Sequence, residues 1–306
     1  MKNTLEYYYN IKIDKLHNKD KIYSFYINNK EYILKEYFYQ NNITNDLYTI
    51  NNYLKRIINV DIIVPNKYNN IITYINNIPY ILIQKQKETT LNIKEISNIS
   101  NIKIPEIKSL ERNNWEVLWS NKIDYYEMQV NENKKKYPLI KESFDYFIGL
   151  AENAISYLVN TKKETKPLIY DMKVISHNNL FDSIYDPLNI ILDHKARDIS
   201  EYIKLSFFNK NKNIYKELDI YFMNNIYSEY GIRILFSRLL YPSHYFNIYD
   251  NIILGNYNEK KLIDIIKNIK EYELYLYNMY LYLNKYYNIP SVEWLKKKDI
   301  NPHSQP

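Results

Sequence analysis

The sequence predicts an α+β fold of two lobes, a β-rich small lobe over residues 1–86 and a helical large lobe over residues 87–306. Up to residue 86 the chain consists mainly of short runs of β-branched and aromatic residues separated by Asn-rich turns, which is typical of strands. Beyond residue 110, apolar residues recur at helical spacing. The polar stretch Gln84–Thr90, where the period changes, is the predicted connection between the lobes.

Strands dominate the small lobe. The predicted strands are Ile22–Ile27, Glu31–Tyr37, Asn70–Ile75 and Pro79–Gln84. The pairs Asn28–Asn29 and Asn76–Asn77 are predicted turns, and one helix, Asn45–Ile58, interrupts the strands. Strands, one helix and further strands is the order found in the small lobe of a protein kinase.

The large lobe begins with two amphipathic segments, Glu111–Val130 and Glu142–Val159, each of which places its aromatic and aliphatic residues on one helical face. Further helical patterns run through Ile199–Phe208, Ile214–Arg238 and Glu259–Tyr287, with breaks near Pro242 and Gly255. We therefore expect helices that pack around a common core.

Composition excludes several classes of protein. With 46% hydrophobic and 25% charged residues, the chain is ordinary globular material. The net charge of +6 is spread out, and the runs Lys134–Lys136 and Lys296–Lys298 are too short to predict nucleic-acid binding. The absence of Cys excludes disulfides and thiolate metal sites. The N-terminus lacks the apolar core of a signal peptide and no segment predicts a membrane span, so we expect a cytoplasmic protein.

Residues 174–204 keep the outline of a phosphotransferase active site. A kinase-type catalytic loop reads His-x-Asp-x-x-x-x-Asn, in which the Asp accepts the substrate's hydroxyl proton and the Asn holds a metal ion. The frame that starts at His177 places Asn179 at the base and Ile184 at the metal ligand. An amide accepts no proton at neutral pH, and an aliphatic side chain offers no oxygen to Mg²⁺. Only Asp193, at the end of the apolar run Leu188–Leu192, retains its type.

Phosphate binding is also weakly supported in the small lobe. Kinases of this type cover the phosphates with a Gly-rich loop, because a backbone without Cβ atoms can approach the anion closely. The chain has three Gly, none of them before Lys35, so the segment Asp14–Lys21 would have to form this loop. The predicted helix Asn45–Ile58 contains no Glu to pair with Lys35, and Asp46 in its first turn is a poor substitute.

Several segments resemble the spore coat-associated kinase-like family of endospore-forming bacteria, the CotS or YutH group. They are LDHKARDISEYIK (192–204), KESFDYFIGLAENAISY (141–157), SRLLYPSHYF (237–246), PSVEWL (290–295) and, more faintly, EYILK (31–35). The resemblance implies a two-lobed protein-kinase-like fold, related to aminoglycoside and choline phosphotransferases, in a protein tied to the spore coat. It places Lys35 as the lysine that pairs nucleotide phosphates, Asp193 as the metal-binding carboxylate and Asp198 as the brace of the catalytic loop.

Each of these residues has a simpler structural interpretation. Lys35 could be an exposed strand lysine, and His177 a core histidine that holds loop carbonyls together. We prefer a hydrogen-bonded brace for Asp193 and Asp198, with Arg197 between them, over metal binding. His244 is expected to cap or pack a turn, because a lone His is a poor metal site. The sequence therefore predicts no metal site.

Two hypotheses for function follow. In the first, the chain is a catalytically inactive kinase-like protein that needs no cofactor and binds other spore coat or morphogenetic proteins from the mother-cell side, with the Tyr-rich region Tyr241–Trp294 as docking surface. In the second, it is a small-molecule phosphotransferase that uses ATP and Mg²⁺, bound with the help of Lys35 and Asp193, and Asp182 or Asp186 takes over as base. The substitutions at Asn179 and Ile184 favour the first hypothesis.

Overall fold

The structure is a computed structural model that describes residues 1–19, 22–38, 41–86, 91–105, 107–133, 136–180 and 183–296. Its strands are β1 (His17–Lys19), β2 (Ile22–Ile27), β3 (Lys30–Glu36), β4 (Ile62–Val64), β5 (Thr73–Ile75), β6 (Ile78–Gln84), β7 (Lys173–His177) and β8 (Ile190–His194). Its α-helices are α1 (Lys2–Tyr9), α2 (Asn41–Leu54), α3 (Ile93–Ser100), α4 (Trp115–Asn133), α5 (Pro138–Glu164), α6 (Ala196–Phe208), α7 (Ile214–Asn224), α8 (Glu229–Leu240), α9 (Ser243–Ile253), α10 (Ile263–Lys267), α11 (Ile269–Tyr287) and α12 (Glu293–Lys296). The α+β class is confirmed.

Six strands form one antiparallel sheet in the order β1-β2-β3-β6-β4, with β5 also paired to β6. The predicted hairpin turns are confirmed. Asn28 and Asn29 have φ of 49° and 61°, and Asn76 and Asn77 have φ of 51° and 63°. Two consecutive residues with positive φ match the twist of a two-residue hairpin, and Asn tolerates that conformation better than other residues with a Cβ. Asn thus takes the turn positions in a chain poor in Gly.

Two compact units are found by contact density. The first contains residues 1–92, 102–112 and 174–193, and the second contains residues 93–101, 113–173 and 194–306. The segment that carries the catalytic-loop frame therefore packs with the antiparallel sheet. The lobe boundary predicted between residues 86 and 87 stays a prediction, because each of the two units consists of several segments from different parts of the chain.

In the first unit, α1 packs on the sheet through Leu5 and Tyr9, which join Phe25, Leu34 and Leu82 in a buried cluster. The sequence analysis missed α1, β1 and β4. Helix α1 is short and rich in Tyr, so its stability comes from this packing and not from local propensity. The strand predicted at Asn70–Ile75 is limited to Thr73–Ile75.

Helices make up the second unit, and aromatic residues fill its core. Tyr126 stacks on Phe246 with ring centroids 4.8 Å apart, and Phe147 stacks on Tyr245 at 3.9 Å. Tyr249 and Tyr272 are also buried. The excess of tyrosines after residue 241 therefore goes largely to the interior. None of the described helices is long and apolar enough to cross a bilayer.

The segment predicted as one helix, Ile214–Arg238, is divided into α7 and α8. Asn225 ends α7 in an extended conformation, and its side chain donates to the Ser97 hydroxyl at 2.7 Å and to the Tyr221 carbonyl at 2.9 Å. Ser228 then caps α8 by accepting the backbone N–H of Gly231 at 2.9 Å. The segment Glu259–Tyr287 is likewise divided, into a short 3₁₀ turn, α10 and α11.

Candidate functional site

The strand lysine of the sequence analysis has a carboxylate partner. Lys35 lies near the end of β3, opposite Ile81 of β6. Its Nζ atom donates to Oδ2 of Asp186 at 2.5 Å, and the two side chains are 31% and 12% exposed. The sequence analysis found no Glu on the helix Asn45–Ile58 to pair with Lys35, and the structure pairs it with an Asp instead. The partner comes from the loop between β7 and β8, and not from α2.

Asp186 is held at both of its oxygens. It precedes Pro187, which favours the extended backbone seen there, with φ of −70° and ψ of 114°. Its Oδ1 atom accepts the backbone N–H of Leu188 at 2.9 Å and so caps the 3₁₀ helix Pro187–Asn189. Each oxygen of this carboxylate therefore already accepts one hydrogen bond.

A second lysine–carboxylate pair lies in the same unit. Asp61 has no exposed surface, and its Oδ2 atom accepts a hydrogen bond from Nζ of Lys85 at 2.6 Å. Its Oδ1 atom accepts the backbone N–H of Gln86 at 2.8 Å. The sequence analysis did not single out Asp61 or Lys85, since a lone Asp before the strand β4 carries no local signal.

The backbone of Asp61 ties the catalytic-loop segment to the sheet. Its N–H donates to the carbonyl of Tyr185 at 3.0 Å, and its carbonyl accepts from Nδ2 of Asn51 on α2 at 2.7 Å. Burial raises the pKa of the Asp61 carboxyl against the hydrogen bonds from Lys85 and Gln86, and the negative charge of Asp186 raises it further. The two pairs are thus electrostatically linked, and their four formal charges sum to zero.

The loop itself is closed by side chains that bond to its own backbone. Nε2 of the buried His177 lies 3.1 Å from the carbonyl of Ile184, which can only accept, so Nε2 carries the proton. The Asn189 side chain spans the loop: Oδ1 accepts the Asn179 N–H at 3.0 Å, and Nδ2 donates to the Asn179 carbonyl at 2.8 Å and that of Ser183 at 3.2 Å. Asn189 was missed by the sequence analysis, because its role depends on loop closure.

The two positions that depart from the catalytic frame lie in this loop. Ile184 is 5% exposed and packs into the interior, while Asn179 contributes its backbone to the Asn189 contacts. Neither supplies a carboxylate to the site. Asp182, the other alternative base, lies outside the described residues, as do Asp20 and Lys21 of the proposed phosphate-covering segment. Residues His17–Lys19 of that segment form β1, which pairs with β2.

The remaining predicted site residues fall into both units. Asp193 is buried on β8 in the first unit. Asp198 is buried in the first turn of α6 in the second unit, where the neighbouring Arg197 lies over the Trp115 ring at 4.6 Å. The proposed brace between loop and helix stays a prediction. His244 packs among aromatic rings, 5.0 Å from Phe208 and 4.8 Å from Tyr272.

The residues present do not fit a kinase-type nucleotide and metal site. The position of the catalytic base holds an amide, Asn179, and the position of the metal-binding Asn holds a buried aliphatic side chain, Ile184. Within the described ranges, no group of three or more His, Asp or Glu side chains could hold a metal ion. No step of phosphoryl transfer is therefore derived for this loop.

A double-mutant cycle measures the Lys35–Asp186 pair. We expect a coupling free energy of about 0.5–1 kcal/mol, because both groups are partly exposed and solvent screens the interaction. Asp186→Ala should destabilise the fold by about 1 kcal/mol more than Asp186→Asn, since the amide oxygen can still cap Leu188. Urea unfolding of the single and double variants tests both numbers. Strictly additive effects would show that the ion pair contributes nothing to stability.

Comparison with known proteins agrees with this geometry. The sequence profile of a family described as "Spore coat putative kinase YutH" matches residues 2–279. The endospore coat-associated protein YutH of Bacillus subtilis (strain 168) is 29% identical over 218 residues, which is 63% of this chain and 64% of that protein, just under two thirds of its length.

Solved structures show the fold. An aminoglycoside phosphotransferase from Alicyclobacillus acidocaldarius has a TM-score of 0.63 at 10% identity, covering 91% of this chain and 95% of that one. Spectinomycin phosphotransferase APH(9)-Ia has a TM-score of 0.59 at 15% identity, covering 88% and 92%. At such low identity the likeness carries the fold alone, which is the aminoglycoside phosphotransferase-like fold expected from the sequence.

Proposed function

Because this chain belongs to the YutH family of spore coat kinase-like proteins, we propose that it is a catalytically inactive member that acts by binding other proteins of the developing spore coat. The observation that carries the proposal is the catalytic loop, in which an amide, Asn179, stands at the base and the buried Ile184 stands at the metal ligand.

Metal binding is the physical basis. Phosphoryl transfer depends on positioned positive charge, part of which the metal ion supplies in this class of enzyme. The position of the metal-binding Asn holds Ile184, which is 5% exposed and offers no oxygen ligand.

The loop chemistry points the same way. Asn179 cannot accept a proton, and Ile184 cannot coordinate Mg²⁺. Under this proposal the protein uses neither ATP nor a metal ion, and its kinase-like fold presents surfaces that bind other proteins. The relative from Bacillus subtilis is named as endospore coat-associated, which supports coat or morphogenetic proteins as partners and a mother-cell origin.

An alternative function is phosphoryl transfer to a small molecule, with Asp186 as base. The phosphotransferase names of the structural neighbours and the place of Asp186 on the loop favour it. It requires that the protein bind ATP with Mg²⁺. The two proposals therefore predict different effects of ATP on the melting temperature of the protein.

We expect ATP with Mg²⁺ to leave the melting temperature of the protein unchanged, because a ligand raises apparent stability only if it binds the native state. The same preparation should not hydrolyse ATP or phosphorylate aminoglycosides or choline-like alcohols. Lys35→Ala is the matched control and should give the same null result.

Three outcomes would contradict the proposal. A thermal shift with ATP that disappears in Lys35→Ala would place nucleotide at the strand lysine. Turnover lost in Asp193→Ala would indicate an intact metal-dependent site, and turnover lost only in Asp186→Ala would favour the alternative base.

A further inference from the structure

Helix α4 is apolar on two opposite faces. Trp119, Ile123, Tyr126 and Val130 are buried in the core of the second unit. Val117, Leu118, Tyr125 and Met128 are 52%, 44%, 51% and 55% exposed. A surface helix normally carries polar residues opposite its buried stripe, so a second apolar stripe needs an explanation.

The exposed apolar side chains form a stripe on one side of α4, and the exposed Asn121 lies within it. With about 100° of rotation per residue, Val117, Leu118, Tyr125 and Met128 fall within a sector of about 100° that faces away from the buried stripe. From Val117 to Met128 the stripe runs for about 16 Å, or three turns of helix. That is the width and length with which one helix packs against another.

Carboxylates border one side of the stripe. A groove of about 320 Å³ runs between α4 and α5. It is lined by Ser120, Ile123, Asp124, Glu127, Glu152, Ile155 and Ser156. Asp124, Glu127 and Glu152 are exposed, and none of them forms an ion pair with any residue that the structure describes. The net charge of the chain is +6, so this acidic border runs against its overall charge.

Another carboxylate on these two helices does form an ion pair with a lysine. Glu116 of α4 accepts a hydrogen bond from Nζ of Lys162 of α5 at 2.6 Å. Farther along, the residues that line the groove include three carboxylates and no lysine. The border is therefore complementary to basic side chains supplied from outside.

We propose that the exposed face of α4 and the α4–α5 groove bind a basic amphipathic helix of another protein. Its apolar stripe would cover Val117, Leu118, Tyr125 and Met128, and its Lys or Arg side chains would reach the three carboxylates. Recognition of this kind reads anchors at helical spacing in an apolar groove. A second copy of this chain, docked by the same face, would bring the two acidic borders together, and like charges disfavour that arrangement. The inference goes beyond the proposed function and does not depend on whether the chain binds ATP.

Binding of a model peptide tests the proposal. The probe is a fluorescent peptide of about 18 residues, composed of Leu, Lys and Gln, with Leu on one helical stripe. The full chain should bind it, more weakly as salt is raised, because exposed charges contribute. Tyr125→Ser with Met128→Ser, and separately Asp124→Lys with Glu127→Lys, should each weaken binding by at least about tenfold.

Matched controls lie on other helices of the same unit. Ile220→Ser with Met223→Ser removes exposed apolar side chains from α7, and Asp264→Lys with Glu271→Lys reverses exposed charges on α10 and α11. Both should bind the peptide like the wild type. Circular dichroism and melting curves identify any variant that is unfolded, and the charge-reversed pair keeps the test open if the serine variant is lost.

Three results would overturn the proposal. The first is equal binding of a peptide with the same Lys content but no apolar stripe, which would show attraction by charge alone. The second is unchanged binding in both α4 variants. The third is a dimer of the wild-type chain in sedimentation that Tyr125→Ser with Met128→Ser converts to monomer, which would assign the face to a second copy.

Discussion

Replacing Asp61 by Ala is expected to lower the free energy of unfolding by about 3–4 kcal/mol. Breaking a buried ion pair by removing one partner is strongly destabilising, and Lys85 is only 18% exposed. The substitution also strips the Gln86 backbone N–H of its acceptor, now 2.8 Å away. Equilibrium unfolding in urea measures the loss.

The pair Lys296–Glu293 supplies the control. Its side chains are 49% and 80% exposed, so Glu293→Ala should change stability by less than about 0.5 kcal/mol. Combining Asp61→Asn with Lys85→Met should recover most of what Asp61→Asn alone loses, since the lysine charge is then removed together with its partner carboxylate. If Lys85→Met fails to restore stability, the loss in Asp61→Asn does not come from the charge of Lys85.

Local pattern was sufficient for two hairpins of the sheet. The Asn28–Asn29 and Asn76–Asn77 turns and the strands beside them depend on residues adjacent in sequence, and they lie where the sequence placed them. Helix α1 was missed because its identity depends on packing of Leu5 and Tyr9 against strands farther along the chain. The break at Asn225 was missed for a similar reason, since its side chain bonds to Ser97, 128 residues away.

The candidate site shows more clearly that local sequence patterns do not predict contacts between residues far apart in the chain. Each member of the Lys35–Asp186 pair was singled out separately, but 151 residues separate them and no periodicity predicts that they meet. Asp61 was not singled out at all, because a buried acid looks like any other Asp until its burial is known. The departures from the catalytic-loop pattern at Asn179 and Ile184 could be recognised in the sequence, because such a loop requires particular residue types at fixed spacing. The sequence thus showed which catalytic residue types the loop lacks. The structure showed the ion pair and the hydrogen bonds that hold the loop in place.

Acidification is expected to destabilise the second unit through His244. This side chain is 6% exposed, and no described residue lies within hydrogen-bonding distance of its Nδ1 atom. Burial lowers the pKa of His244 well below its usual range, and the positive charge of Lys204 lowers it further. The rings of Phe147, Phe208 and Tyr272 around it offer no counter-charge.

The sign of the pH effect follows from proton uptake. Below pH 6.5 the unfolded chain protonates this histidine and the folded chain does not, so stability present above that pH is lost as the pH falls. The loss attributable to one such group is about 1.4 kcal/mol per pH unit until the lowered pKa is reached. His244→Phe keeps an aromatic ring in the cluster and removes the titration. The difference in free energy of unfolding between His244→Phe and wild type should therefore grow in favour of the variant by that amount for each pH unit below pH 6.5.

His17→Phe, at an exposed histidine of β1, should follow the wild-type curve. Parallel curves for His244→Phe and wild type between pH 7 and about pH 5 would show that His244 takes up its proton without unfolding the protein.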